Sequence, residues 1–175
     1  MGAVNKSLIE IDGITVIDHQ LRVLRKLFHT VITVGWPQAD PLPEGLSNVS
    51  DNYPGIGPVA GIEAALKAAQ TDMVFIFGSD MPWLSEEIIT MEVRTMGEKP
   101  GTVLVPRVGS MIEPLHAVYC RTLHGRLEDA IKRKSITSVR EFIFMSSPVY
   151  LDLPERQDIF RAFTNINSPG DLLVR

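Results

Sequence analysis

Short apolar runs alternate with helix-patterned stretches along this chain, and that alternation restricts the fold more than any other feature. Val31-Ile32-Thr33-Val34 reads as a buried strand, stopped by Gly35 and Pro37. An alanine-rich helix over Pro58 to Gln70 follows a proline- and glycine-rich loop, Trp36 to Tyr53, with room for a short strand near Val49. Then comes the apolar run Met73–Phe77, and after it a helix over Ser85 to Met96. Strands at Thr102–Val105, Leu115–Tyr119 and Val149–Leu151 are interleaved with helical patterns over Leu123–Arg133 and Val139–Phe144. At the start, Ser7 to Thr15 alternates around Asp12-Gly13 as a small hairpin or extended arm. Apolar positions from Ile17 through Leu21, Leu24, Leu27 and Phe28 then keep helical spacing. Strands separated by helices of about ten residues or more form βαβ units on a mostly parallel sheet. The pattern predicts one α/β domain over residues 1–175, with an antiparallel strand near 115–119 and no linker.

The bulk numbers agree with a single folded domain. The 175 residues are 45% hydrophobic and 22% charged, enough for a substantial core. A net charge of −4 gives no argument for a nucleic-acid partner. No apolar run approaches the roughly 20 residues of a membrane span, and no basic-then-apolar leader is visible. The one cysteine, Cys120, excludes an intrachain disulfide and fits the reducing cytoplasm; it reads as a small buried filler.

Four constellations carry candidate chemistry. Met73–Phe77 ends in Gly78-Ser79-Asp80-Met81-Pro82, and ligands of open parallel sheets sit beyond the carboxyl ends of strands. Asp80 there offers a hard oxygen for Mg²⁺, or else caps the helix beginning near Ser85. The stretch Asp51 to Gly61 is a glycine-rich loop entering a helix, suited to an anion or to a simple turn with tight packing at Gly61. Lys6, beside Asn5, is a point cation for a phosphate or an ordinary surface lysine. Asn165-Ile166-Asn167 sets two amides on one side of an extended segment, ahead of a near capping box at Ser168-Pro169-Gly170-Asp171. Arg107 is a further candidate phosphate contact and Glu113 a further candidate carboxylate. His116, in an apolar strand, reads as a satisfied strand histidine.

Taken in order, Asn5-Lys6, Asp51…Gly57-Pro58-Val59-Ala60-Gly61-Ile62, Gly78-Ser79-Asp80-Met81-Pro82, Glu113-Pro114-Leu115-His116-Ala117-Val118-Tyr119 and Asn165-Ile166-Asn167-Ser168-Pro169 resemble the MobA-type molybdenum cofactor guanylyltransferases. The resemblance spans nearly the whole chain. It implies the nucleotide-diphospho-sugar transferase fold, a three-layer αβα Rossmann-like architecture. It also implies Mg²⁺-dependent transfer of GMP from GTP to molybdopterin, with release of pyrophosphate. By the same resemblance Lys6 and Asp80 are catalytic, and Asp80 is the Mg²⁺ ligand. Lys6, Asp51, Gly57, Pro58, Gly61 and Asp80 are nucleotide contacts, and Asn165 and Asn167 lie on the pterin side. Molybdoenzyme-maturation proteins are the implied protein partners.

The family pattern opens with a strand running into Leu-Ala-Gly-Gly-x-Ser-x-Arg-Met-Gly, whereas this sequence starts at that Met-Gly. That strand would sit centrally, so the apolar edges of its neighbours are expected to be exposed. Two other readings stay open: a relative using CTP or another acceptor, and an inactive homologue that binds the pterin.

Overall fold

The computed structural model describes residues 5–98 and 102–166. Its strands are β1 (Glu10–Ile11), β2 (Ile14–Thr15), β3 (Ile32–Val34), β4 (Ser47–Val49), β5 (Met73–Phe77), β6 (Val103–Val108), β7 (Met111–Ile112), β8 (His116–Cys120) and β9 (Val149–Leu153). Its helices are α1 (Val16–Leu27), α2 (Pro58–Ala68), α3 (Glu86–Glu98), α4 (His124–Lys132), α5 (Val139–Met145) and α6 (Gln157–Ala162).

The expected hairpin forms as β1 and β2, with Asp12 and Gly13 both at positive φ, as a two-residue turn demands. Thr15 then caps α1, its side chain accepting the Asp18 N–H. Helix α1 buries Ile17, Leu21 and Leu24 on the stripe that the spacing predicts.

The main sheet runs β5–β8–β6–β9, with the short β7 pairing the far end of β6. Strand β8 is antiparallel to both β5 and β6, while β6 and β9 are parallel. Strands β5, β6 and β9 therefore share one direction, and the antiparallel intruder is the one expected near 115–119. Side chains alternate between two covered faces. Val103, Val105, Ala117 and Tyr119 meet α2, α4 and α5 through Leu66, Leu127 and Phe142. On the other face Leu104 and Val118 meet Met96 of α3, Phe75 meets Leu24 of α1 and Ile89 of α3, and Val108 meets Ile159 of α6. This is a three-layer αβα domain.

Strands β3 and β4 form a separate parallel pair. Among the described residues, a cavity of about 500 Å³ lies between β3 and β5, which are not paired with each other. Its sides are β3 and β5, and its two faces are α1 (Ile17, Gln20, Leu24) and α2 (Gly61, Ile62, Ala65). The exposed apolar edges expected next to a central strand are therefore present: every residue of β3 is only half-buried, as are Val74 to Phe77 in β5, while β6 and β8 are almost wholly buried.

Candidate active site

Asp80 stands where the chain leaves β5. The ladder to β8 carries β5 as far as Phe77 opposite His116, and the Gly78 N–H donates to the Leu115 carbonyl at 2.9 Å. The loop beyond is fixed from three directions. Buried Gln20 donates through Nε2 to the carbonyls of Gly78 and Met81, at 3.3 and 3.1 Å. The Ser7 hydroxyl reaches the Ser79 carbonyl, and the Ile166 N–H donates to the Asp80 carbonyl at 2.8 Å. The Asp80 carboxylate folds back over Gly78, where a Cβ would lie 2.9 Å from its Oδ1 and 3.3 Å from Met81 Cγ. A side chain at position 78 would push the Asp80 carboxylate aside, whereas the backbone conformation does not itself call for glycine. The cap alternative for Asp80 is not what forms: Ser85 accepts the Ile88 N–H at the start of α3, and Asp80 faces the cavity.

Lys6 lies in a 3₁₀ turn (Lys6–Leu8) capped by Asn5, whose Oδ1 accepts the Ser7 N–H. This turn brings Lys6 Nζ within 3.6 Å of Asp80 Oδ2, both groups still solvent-accessible. The Asn5 amide also donates to Asp40 Oδ2 at 2.9 Å, tying the turn to the loop after β3.

The glycine-rich loop supplies the neighbouring wall. Gly57 takes φ 75°, a conformation that L side chains rarely adopt, and leads into Pro58 as the first residue of α2. Pro58 and Gly61 line the same cavity as Asp80, whereas Asp51 and Gly57 lie outside its lining. Tight packing does not explain Gly61, since a Cβ there would meet nothing within 4 Å. Asp51 accepts the Tyr53 N–H at 2.8 Å, and the rest of the loop is bolted down by a group that the sequence reading missed. Glu63, fully buried in α2, accepts from Asn52 Nδ2 at 2.8 Å and pairs with His124 Nε2 at 2.7 Å. The available signal was a carboxylate set between Ile62 and Ala64 in an otherwise apolar helix.

The remaining candidates divide clearly. Glu113 lies close enough to Asp80 to feel its charge; burial first, and that charge in addition, push its carboxyl above the ordinary range against the opposing Leu115 N–H. Arg107 is spent on a two-pronged pair with Asp152, at 2.6 and 3.0 Å, and stacks over Tyr150. The pair with Asp152 on the neighbouring β9 is therefore what engages its guanidinium in this structure. His116 is fully buried, its Nδ1 3.0 Å from Glu92 Oε1 and its ring edge-on between Phe75 and Phe163. Cys120 is half-buried instead of buried, and burial pushes its thiol up, away from nucleophilic use. Asn165 is exposed beside the buried Ile166 that reaches Asp80; Asn167 and the capping box lie outside the described residues.

Among the described residues no group of three His, Cys, Asp or Glu side chains could by itself hold a metal ion. Asp80, a solvent-accessible carboxylate at the end of β5, is a hard oxygen donor of the kind a divalent cation such as Mg²⁺ takes. None of the helices in the described residues is long and apolar enough to cross a membrane.

Comparison with known proteins gives the same picture. A family model for the MobA-like NTP transferase domain matches residues 1–148. A probable molybdenum cofactor guanylyltransferase of Pelotomaculum thermopropionicum is 31% identical over 172 residues, covering 96% of this chain and 82% of that protein. The crystal structure of the molybdopterin-guanine dinucleotide biosynthesis protein A of Archaeoglobus fulgidus superposes with a TM-score of 0.74 at 28% identity, over 95% of this chain and 86% of that one. The 2-C-methyl-D-erythritol 4-phosphate cytidylyltransferase of Thermus thermophilus shares the fold alone, with a TM-score of 0.71 at 15% identity, over 97% and 91% of the two chains. With its αβα layers, its carboxylate at the end of β5 and a family match over most of its length, this chain belongs to the MobA-like NTP transferase family and is a nucleotidyltransferase domain.

Proposed function

We propose that the chain transfers GMP from GTP to the terminal phosphate of molybdopterin, with Mg²⁺ as cofactor. The observation that carries this reading is the Lys6–Asp80 pair at the mouth of the cavity, 3.6 Å apart and open to solvent. Phosphoryl-group transfer asks a protein for positioning and charge, with little covalent chemistry. Asp80 would hold the metal, with Glu113, close enough to feel the Asp80 charge, as a candidate second carboxylate. Mg²⁺ held there would supply positive charge against the charge that develops on the phosphates. Lys6 offsets charge at the α-phosphate. An oxygen of the acceptor phosphate attacks the α-phosphorus, the bond from that phosphorus to the bridging oxygen breaks, and pyrophosphate leaves with the bonding pair. Asp51, Gly57, Pro58 and Gly61 form the nucleotide side, with the Glu63 anchor keeping their loop in place. Asn165 and Asn167 form the pterin side.

Support also comes from the relatives named for this transfer. The test is transfer of α-labelled GMP from GTP to molybdopterin with and without Mg²⁺, with CTP as competitor. Labelled dinucleotide and pyrophosphate in equal amounts, resistant to CTP, are the expected result. A folded chain that binds the pterin but neither binds GTP nor forms product would overturn the enzymatic reading in favour of a pterin-binding protein.

A further inference from the structure

The glycine-rich loop is held by its side chains and not by its own backbone. Among the described residues, no backbone–backbone hydrogen bond involves residues 51–56. A loop without such bonds takes its shape from what its side chains grip. Asn52 and Tyr53 both lead away from the candidate site to α4, which lends no residue to the cavity lining. Asn52 Nδ2 donates to Glu63 Oε2 at 2.8 Å, and the other oxygen of that carboxylate, Oε1, lies 2.7 Å from His124 Nε2. The Tyr53 hydroxyl donates to Glu128 Oε1 at 3.4 Å, and Lys132 Nζ pairs with the same oxygen at 2.9 Å. His124, Glu128 and Lys132 stand one helical turn apart in succession, so they line one face of α4.

The buried carboxylate is the joint. Glu63 has no solvent exposure, whereas the His124 side chain keeps 26% of its own, so a change at 124 opens little space. Glu63 sits between Ile62 and Ala64 on a helix that meets Leu127 of α4 through Leu66. For stability alone, an apolar residue at position 63 would serve as well, because a buried ion pair is often no better than close apolar packing. An apolar residue fixes no direction. The carboxylate does: with His124 on one oxygen, it presents the other to Asn52. His124 thereby sets where Asn52 stands, and with it the adjoining Asp51.

We propose that His124 is a positioning residue for the nucleotide. It orients Glu63, Glu63 holds Asn52, and Asn52 holds the loop from Asp51 to Gly57 against α2. This rests on the GTP reading given above. His124 lies outside the cavity lining, so its loss acts on nucleotide binding and spares the chemical step at Asp80.

The test compares the unaltered chain with His124→Leu and His124→Gln, each checked for folding by circular dichroism. Residue-resolved amide hydrogen exchange is read over 52–57 in the chain alone, and KM for GTP and kcat are read for Mg²⁺-dependent transfer. In His124→Leu, loop exchange is expected to quicken by at least about fivefold, with β6 and β8 unchanged. KM for GTP should rise about tenfold with kcat within about twofold, the signature of lost binding and not of lost transition-state stabilisation. His124→Gln, whose amide can donate to Glu63, should restore most of both. Asn52→Ala, at an exposed position, should repeat the KM shift even where a His124 variant misfolds. Unchanged loop exchange in His124→Leu would overturn the proposal. So would an unmoved KM in Asn52→Ala, a fall in kcat with KM unchanged, or a glutamine variant no better than leucine. An unaltered chain that does not use GTP overturns the GTP reading instead. Quickened loop exchange in His124→Leu would then still support the anchor, and unchanged exchange would still overturn it.

Discussion

The two halves of this sheet are built from the same kinds of residue and end in different states. In β6 and β8, Leu104, Val105, Ala117 and Val118 lose all solvent exposure, because strands flank them in the plane and helices cover both faces. In β3 and β5, Ile32, Val34, Phe75 and Ile76 are just as apolar, yet only half-buried. Among the described residues, β6 and β8 are paired on both sides in the plane, whereas β3 and β5 are each paired on one. Burial in a parallel sheet thus depends on in-plane partners as much as on covering helices. The site sits on the seam: Asp80 is positioned by the finished half, through β8, and opens onto the unfinished one.

Truncating both halves in parallel is the strongest way to break that comparison. Leu104→Ala removes a side chain with no solvent exposure and is expected to cost about 2–5 kcal/mol. Ile32→Ala, on the open edge, is expected to cost about 1 kcal/mol. Chemical denaturation checks both, and equal costs would mean that the open edge of β3 is covered in solution. Gly78→Ala probes the seam. Its Cβ would drive the Asp80 carboxylate off its position, so we expect about 1–3 kcal/mol of overpacking cost and a larger proportional loss of transfer rate than of stability.

A smaller effect reports on the finished half. Burial pushes the Glu92 carboxyl up from its ordinary value, and the facing His116 only partly opposes this. The folded state therefore holds this proton more tightly than the unfolded chain does. Stability should fall as pH rises from the ordinary carboxylate range through the raised value, and recover as pH is lowered back. Glu92→Gln removes that ionisation and should flatten the slope in pH-dependent thermal melts. An unchanged slope would assign it to Glu113 or another acid.

Much of this was legible in the sequence. Periodicity located α1, α2, α3, β5 and the antiparallel β8, because each buries a regular stripe or run. Strand β6 extends to Val108, past the Thr102–Val105 run, because Pro106 and Arg107 are carried by the parallel ladder to β9, a contact no local pattern encodes. Helix α6 escaped because it has six residues and its N-cap, Arg156, gives no capping side-chain bond to the backbone. At the site, the Gly78-Ser79-Asp80 ending and Lys6 were readable as motifs, and the structure brings those two together. The Arg107 pair with Asp152 was not legible, because the two residues lie 45 positions apart. Gln20 and Glu63 were invisible for the same reason: a polar residue on an apolar helix face acquires meaning only from what it meets across the fold.

The central claim is that Asp80 holds the catalytic cation at the end of β5. The most direct measurement is Mg²⁺-dependent GMP transfer by Asp80→Asn beside the unaltered chain, with thermal melting points for both. Transfer is expected to fall by at least about a thousandfold, at a melting temperature within a few degrees. Transfer within tenfold of the unaltered chain, at the same Mg²⁺ concentration dependence, would contradict it and place the metal elsewhere.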